Sequence, residues 1–132
     1  MSNKITLITP PDIYENSNHS VLFIGLTDED QDAASLWLGQ NDTYPETNFY
    51  YYQGEDNLTW LLYALARADA VFLNFESNNA IINIIGSYVL SRPGVHYTTK
   101  DENLKALMSH INNQYVSDVT VFLEKAFNEQ RS

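Results

Sequence analysis

The sequence predicts a single α/β domain with a mostly parallel sheet of about five strands and helices on both faces. Two runs, SVLFIGL over 20–26 and DAVFLNF over 69–75, are apolar at nearly every position, the pattern of strands covered on both faces. Between and after the strand-like runs lie stretches whose apolar residues recur three and four positions apart, the spacing of helices packed on a core. Strands alternating with helices over short connections imply right-handed crossovers and hence parallel pairing.

Composition bounds the rest. Of 132 residues 44% are hydrophobic and 13% aromatic, which is enough for one continuous core and too apolar for a disordered chain. Seventeen acidic against seven basic residues give a formal charge of −10, which repels phosphate backbones and anionic lipid. Direct nucleic-acid or membrane binding is therefore not expected; the charge serves solubility or suits a basic protein partner. Without Cys there is neither a disulfide framework nor a thiolate metal site. Apolar runs such as Ala70 to Phe75 fall far short of the ~20 residues that span a bilayer, and the N-terminus lacks the basic and apolar regions of a signal peptide. A cytoplasmic location is the expectation.

Lys4 to Thr9 reads as a short strand stopped by Pro10 and Pro11, and Asp12 to Ser20 as a polar surface loop. Residues 1–19 thus form an edge strand or arm with its loop, and 20–132 the α/β domain. After SVLFIGL, Thr27 or Asp28 caps a helix over about 30–40 that places Ala33, Leu36 and Trp37 on one face and ends near Gly39 or Asn41. Thr47 to Gln53 is a β-prone aromatic strand. Asn57 to Arg67 is a helix capped by Asn57, with Leu58, Leu61, Leu62 and Leu65 spaced for burial. DAVFLNF follows, then a helix over 79–91 carrying Ile81, Ile82, Ile84, Ile85 and Val89, then a break at Pro93 and Gly94 and a strand over 95–99. Two helices over 101–112 and 117–129, capped by Asp101 and Ser117, complete the chain.

In an open parallel sheet, ligands collect at the carboxyl ends of the strands where the winding direction switches. Those ends are Gly25 to Asp28, Phe75 to Asn79 and the turn after Thr98. Gly25 lets a ligand approach the backbone, and the amides after Thr27 suit a small anion. Asn74, Glu76, Asn78 and Asn79 cluster after the second buried strand, where their groups can hydrogen-bond a sugar or base, or simply form a solvated loop. His19, His96 and His110 are scattered without metal-ligand spacing, so no metal site is expected. No glycine-rich phosphate loop, nucleophile elbow or Cys nucleophile is present, and no cofactor is called for.

Five stretches together resemble the nucleoside 2-deoxyribosyltransferase family: SVLFIGL leading into TDEDQ, the helix ending ALARAD, the strand DAVFLNF, and IIGSYVLSRPGVHYTTKDE, covering about residues 20–105. The resemblance implies a flavodoxin-like, Rossmann-like fold and a site that exchanges bases on deoxyribose through a glutamate nucleophile. Carried over residue by residue, Gly86 matches the family's helix glycine and Asp69 an aspartate that contacts substrate, while the nucleophile's position falls on Ile84 and a second family acid on Asn78. Isoleucine has no lone pair to attack C1′, and asparagine does not ionise. The opening TPPDIYEN also resembles small proteins of T4-like phages, which implies a host cytoplasm.

Three readings follow. One is a non-catalytic protein-interaction or assembly module on the deoxyribosyltransferase-like fold, through a protein partner or self-association, drawing on the missing nucleophile, the acidic charge and the aromatic run Tyr50, Tyr51 and Tyr52. Another is an enzyme that hydrolyses or transfers an N-glycosidic bond in a nucleoside or nucleotide using Asp69 or Glu76, since a base and an oriented water suffice without a covalent intermediate. The third is a nucleotide sensor whose ligand-binding residues are Gly25, Thr27, Asn74 and Asn78. A cleft plugged by Ile84 and aromatics would favour the first, and convergent carboxylates the second.

Overall fold

The computed structural model describes residues 7–10, 12, 19–41, 47–54, 57–75 and 80–128. Four parallel strands, β1 (His19–Ile24), β2 (Thr47–Tyr52), β3 (Ala70–Asn74) and β4 (Val95–Thr98), lie in the order β2-β1-β3-β4. Five helices connect and follow them: α1 (Asp28–Gln40), α2 (Leu58–Arg67), α3 (Ala80–Val89), α4 (Glu102–Met108) and α5 (Val119–Asn128). This is the doubly wound, flavodoxin-like arrangement, with the two apolar runs of the sequence as adjacent central strands, Leu22 beside Val71 and Phe23 beside Phe72.

Strand alternation divides the core into two layers. Leu22, Ile24, Tyr50, Tyr52, Val71, Leu73, Val95 and Tyr97 face α2, α3 and α4, while Val21, Phe23, Phe49, Tyr51, Ala70 and Phe72 face α1 and α5. Tyr50, Tyr51 and Tyr52 are therefore all core residues, on alternating sides of the sheet, and form no exposed aromatic surface. The Trp37, Phe49 and Phe127 rings cluster under α1 and α5, and Tyr50 meets Trp60 edge-on under α2.

The described residues contain four strands rather than five, because the N-terminal edge segment contributes a single bridge. Ile8 donates to Phe49 O at 2.7 Å and accepts from Tyr51 N at 2.9 Å, outside β2. The next rung of a parallel ladder would need an amide at position 10, and Pro10 has none. Trp60 Nε1 donates to Asp12 O at 2.8 Å, pinning the same segment to α2. The Lys4 to Thr6 part of the expected strand lies outside the described residues. On the far edge one further bridge, Tyr97 to Tyr115, stands beside β4.

Caps fall where the side chains allow. Thr27 and Asp30 form a reciprocal capping box on α1, Asn57 Oδ1 accepts from Trp60 N, and Asp101 Oδ1 accepts from Asn103 N and Leu104 N. The last helix is capped by Asp118, whose Oδ1 accepts from Val121 N, and not by Ser117. Helix faces depart further from expectation. The core takes Ala34, Trp37 and Leu38 from α1, Trp60, Leu61, Ala64 and Leu65 from α2, and Ile82, Gly86 and Val89 from α3. Leu36, Leu58, Leu62 and Ile84, expected inside, are exposed. Among the described residues no helix is long and apolar enough to cross a membrane.

Candidate functional site

The strand order reverses between β1 and β3, and the crevice beyond their carboxyl ends is a cleft of about 670 Å³. The first turn of α1 supplies Thr27, Asp28, Glu29 and Asp30; β3 supplies Asn74; the end of β4 and the start of α4 supply Thr98, Thr99, Lys100 and Glu102; and Tyr115, Ser117 and Asp118 close the side. The sequence located the first three groups through the strand ends. It did not locate Tyr115, Ser117 and Asp118, which only the bridge to Tyr97 brings beside β4.

The polar groups of this cleft are largely engaged with one another. Asn74 Nδ2 donates to Asp30 Oδ2 at 2.5 Å, and the same oxygen accepts from Thr27 N at 3.3 Å. Thr27 Oγ1 in return accepts from Asp30 N at 3.1 Å, and Thr98 Oγ1 donates to Ser117 O at 3.4 Å. Five carboxylates, Asp28, Glu29, Asp30, Glu102 and Asp118, line the cleft against one cation, Lys100. The amino end of α1 already carries three acids in its first turn, so its dipole is complemented from within and a phosphate would meet repulsion. Among the described residues no group of three or more His, Asp or Glu side chains is placed to hold a metal ion.

Of the described residues singled out in the sequence, two reach this cleft and the others do not. Thr27 and Asn74 line the cleft. Gly25 has φ 79° and donates to Tyr52 O at 3.1 Å, so it serves the turn that prolongs the β1–β2 ladder. Glu76, Asn78 and Asn79 lie outside the described residues. Asp69 sits at the amino end of β3, one strand length (roughly 16 Å) from the cleft. Its Oδ2 accepts from Ser20 N at 2.9 Å, its amide donates to Ser20 O at 2.8 Å, and His19 Nδ1 lies 3.2 Å away. Burial lowers the His19 pKa, and the Asp69 carboxylate only partly opposes that. Ile84 neither lines nor plugs the cleft: it points into solvent from α3 with 71% of its surface exposed. Gly86 is needed for packing, since a Cβ there would stand 2.7 Å from the Phe75 ring.

A second cavity, of about 420 Å³, opens at the other end of β4 between the carboxyl ends of α3 and α4, where it holds Arg92 and His110. A cation beside a helix carboxyl end complements the dipole, which accounts for Arg92 after α3 without a ligand.

The exposed apolar side chains are unevenly distributed. Of the eight large hydrophobic side chains exposed among the described residues, seven lie on the α2–α3–α4 layer: Leu58 and Leu62, Ile81, Ile84 and Tyr88, and Leu107 with Ile111 just beyond α4. The helices of that layer carry three charged residues, Arg67, Glu102 and Lys105, whereas α1 alone carries four acids. No family model, curated protein or solved structure matches this chain.

Proposed function

We infer that this protein is a non-catalytic interaction or assembly module on a flavodoxin-like fold, and that it binds protein through the outer face of α2, α3 and α4. The observation that carries this reading is the confinement of seven exposed large apolar side chains to one layer of an otherwise acidic domain. Isolated exposed apolar residues are ordinary, but such a concentration on one side marks an association surface. The resemblance to nucleoside deoxyribosyltransferases supports the same conclusion, because the nucleophile's position carries an exposed isoleucine and Asp69 is engaged with Ser20 at the opposite end of the sheet. The five carboxylates of the cleft speak against a nucleotide ligand. A cytoplasmic setting goes with this reading, since a chain without Cys needs no oxidising compartment.

The test is chromatography of the protein incubated with a deoxynucleoside and a second free base, and separately with each nucleoside alone. Neither base exchange nor base release above the uncatalysed rate is expected. Either activity would replace the interaction reading with an N-glycosidic hydrolase or transferase and turn attention to the cleft carboxylates and Glu76.

A further inference from the structure

We propose that the partner covering the α2–α3–α4 face is a second copy of this chain, joined across a two-fold axis that passes over α3. This rests on the interaction reading above and names its occupant. In a two-fold contact every residue near the axis meets its own counterpart, so a charged side chain there would face its own charge. Helix α3, AIINIIGSYV, has none. It presents Ile84 at 71% and Tyr88 at 76% exposure, one turn apart on the same side.

Electrostatics select this face over the others. A chain of charge −10 resists self-association wherever its acids meet, and Asp28, Glu29, Asp30 and Asp32 all lie on α1 in the opposite layer. Contact through α3 keeps those acids on the outer sides of the pair. Flanking α3, Leu62 of α2 and Leu107 of α4 extend the apolar area, with Arg67 and Glu102 as charges of opposite sign on the two outer helices. Summed over its seven exposed large apolar residues, the layer offers on the order of 800 Å², about what one partner gives to a standard interface.

Sedimentation equilibrium of the full chain, from low to high micromolar concentration, reads the proposal directly. The expected result is a species of twice the 15.1 kDa chain mass. Ile84→Glu with Tyr88→Glu is expected to weaken the dimer at least ~10-fold with an unchanged circular dichroism spectrum, and Leu36→Glu on α1 to leave it intact. Because the chain has no Cys, Ser87→Cys places a single thiol on α3 beside the axis, and mild oxidation should convert this variant, unlike Asp32→Cys on α1, to a covalent dimer. A monomer at every concentration, or a dimer lost with Leu36→Glu and kept in the α3 double variant, overturns the proposal. A monomer that also shows no base exchange overturns only the choice of occupant, whereas base exchange by either species overturns the interaction reading itself.

Discussion

Asn74 Nδ2 donates to Asp30 Oδ2 at 2.5 Å, tying the last residue of β3 to the first turn of α1 across the point where the sheet reverses direction. Asp30 is also the reciprocal half of the Thr27 capping box. Asp30→Ala removes both and leaves the Asn74 amide, on a residue only 3% exposed, without this acceptor. The expected loss is about 1–3 kcal/mol, against less than ~0.5 kcal/mol for its exposed neighbour Glu29→Ala. Urea midpoints of the two variants check this; equal midpoints would show that the Asp30 contacts contribute nothing.

Gly86→Ala should destabilise although alanine is the better helix former. The added methyl meets Phe75 Cε1 and Cζ at 2.7 Å, and Phe75 is itself buried against the α3 side of the core. Overpacking of this kind costs about 1–3 kcal/mol, which exceeds the ~1 kcal/mol gained in helix propensity. Combining the substitution with Phe75→Leu should recover part of the loss. A single variant as stable as the parent in thermal unfolding contradicts the packing argument.

The buried imidazole of His19 gives the fold a pH dependence. Its ordinary pKa of 6.5 is lowered in the folded chain by burial, so between that lowered value and 6.5 the unfolded chain binds more protons than the folded one. Stability from this group is therefore complete above 6.5 and falls as pH drops through that window. His19→Phe, whose ring can still pack beside Phe127, should lose less stability than the parent between pH 7.5 and pH 5. Parallel loss in both proteins would assign the effect elsewhere.

Asp69→Asn should fold almost normally, because an amide oxygen can still accept from Ser20 N, whereas Asp69→Ala should cost about 1–2 kcal/mol. With the charge gone, the influence that raises the His19 pKa also goes, and the pH dependence just described should steepen. Urea titrations of both variants at two pH values separate the effects; a large loss in Asp69→Asn at pH 7.5 would mean that charge, not hydrogen bonding, holds the turn.

Ile84→Glu is expected to change monomer stability by less than ~0.5 kcal/mol, measured at concentrations low enough to exclude association. The sequence counts Ile84 among the apolar residues of this helix and as a possible plug of the cleft, and the difference lies in which side of α3 faces the sheet. In IINII four of the five positions are apolar, so spacing alone does not choose between Ile82 and Ile84. The same ambiguity moved Leu62 outward in favour of Trp60 and Ala64, and Leu36 in favour of Ala34 and Leu38. Strands were more legible, because Val21 to Ile24 and Ala70 to Leu73 are apolar on both faces and need no choice of side. The cleft was legible as far as strand ends define it. Asp118 and Tyr115 became part of it only through tertiary pairing that no local pattern records.

The paired hydrogen bonds between Ser20 and Asp69 join positions 49 apart in the chain. Closing that span confines α1, β2 and α2 in one loop, at an entropic cost that grows only slowly with loop length. The central β1–β3 pairing is thus a long-range event repaid only as both core layers form around it. The clasp at the amino end of β3 accordingly reports on the order of assembly: Asp69→Ala slows refolding if closure belongs to the transition state, and speeds unfolding if the two halves meet first and fasten afterwards.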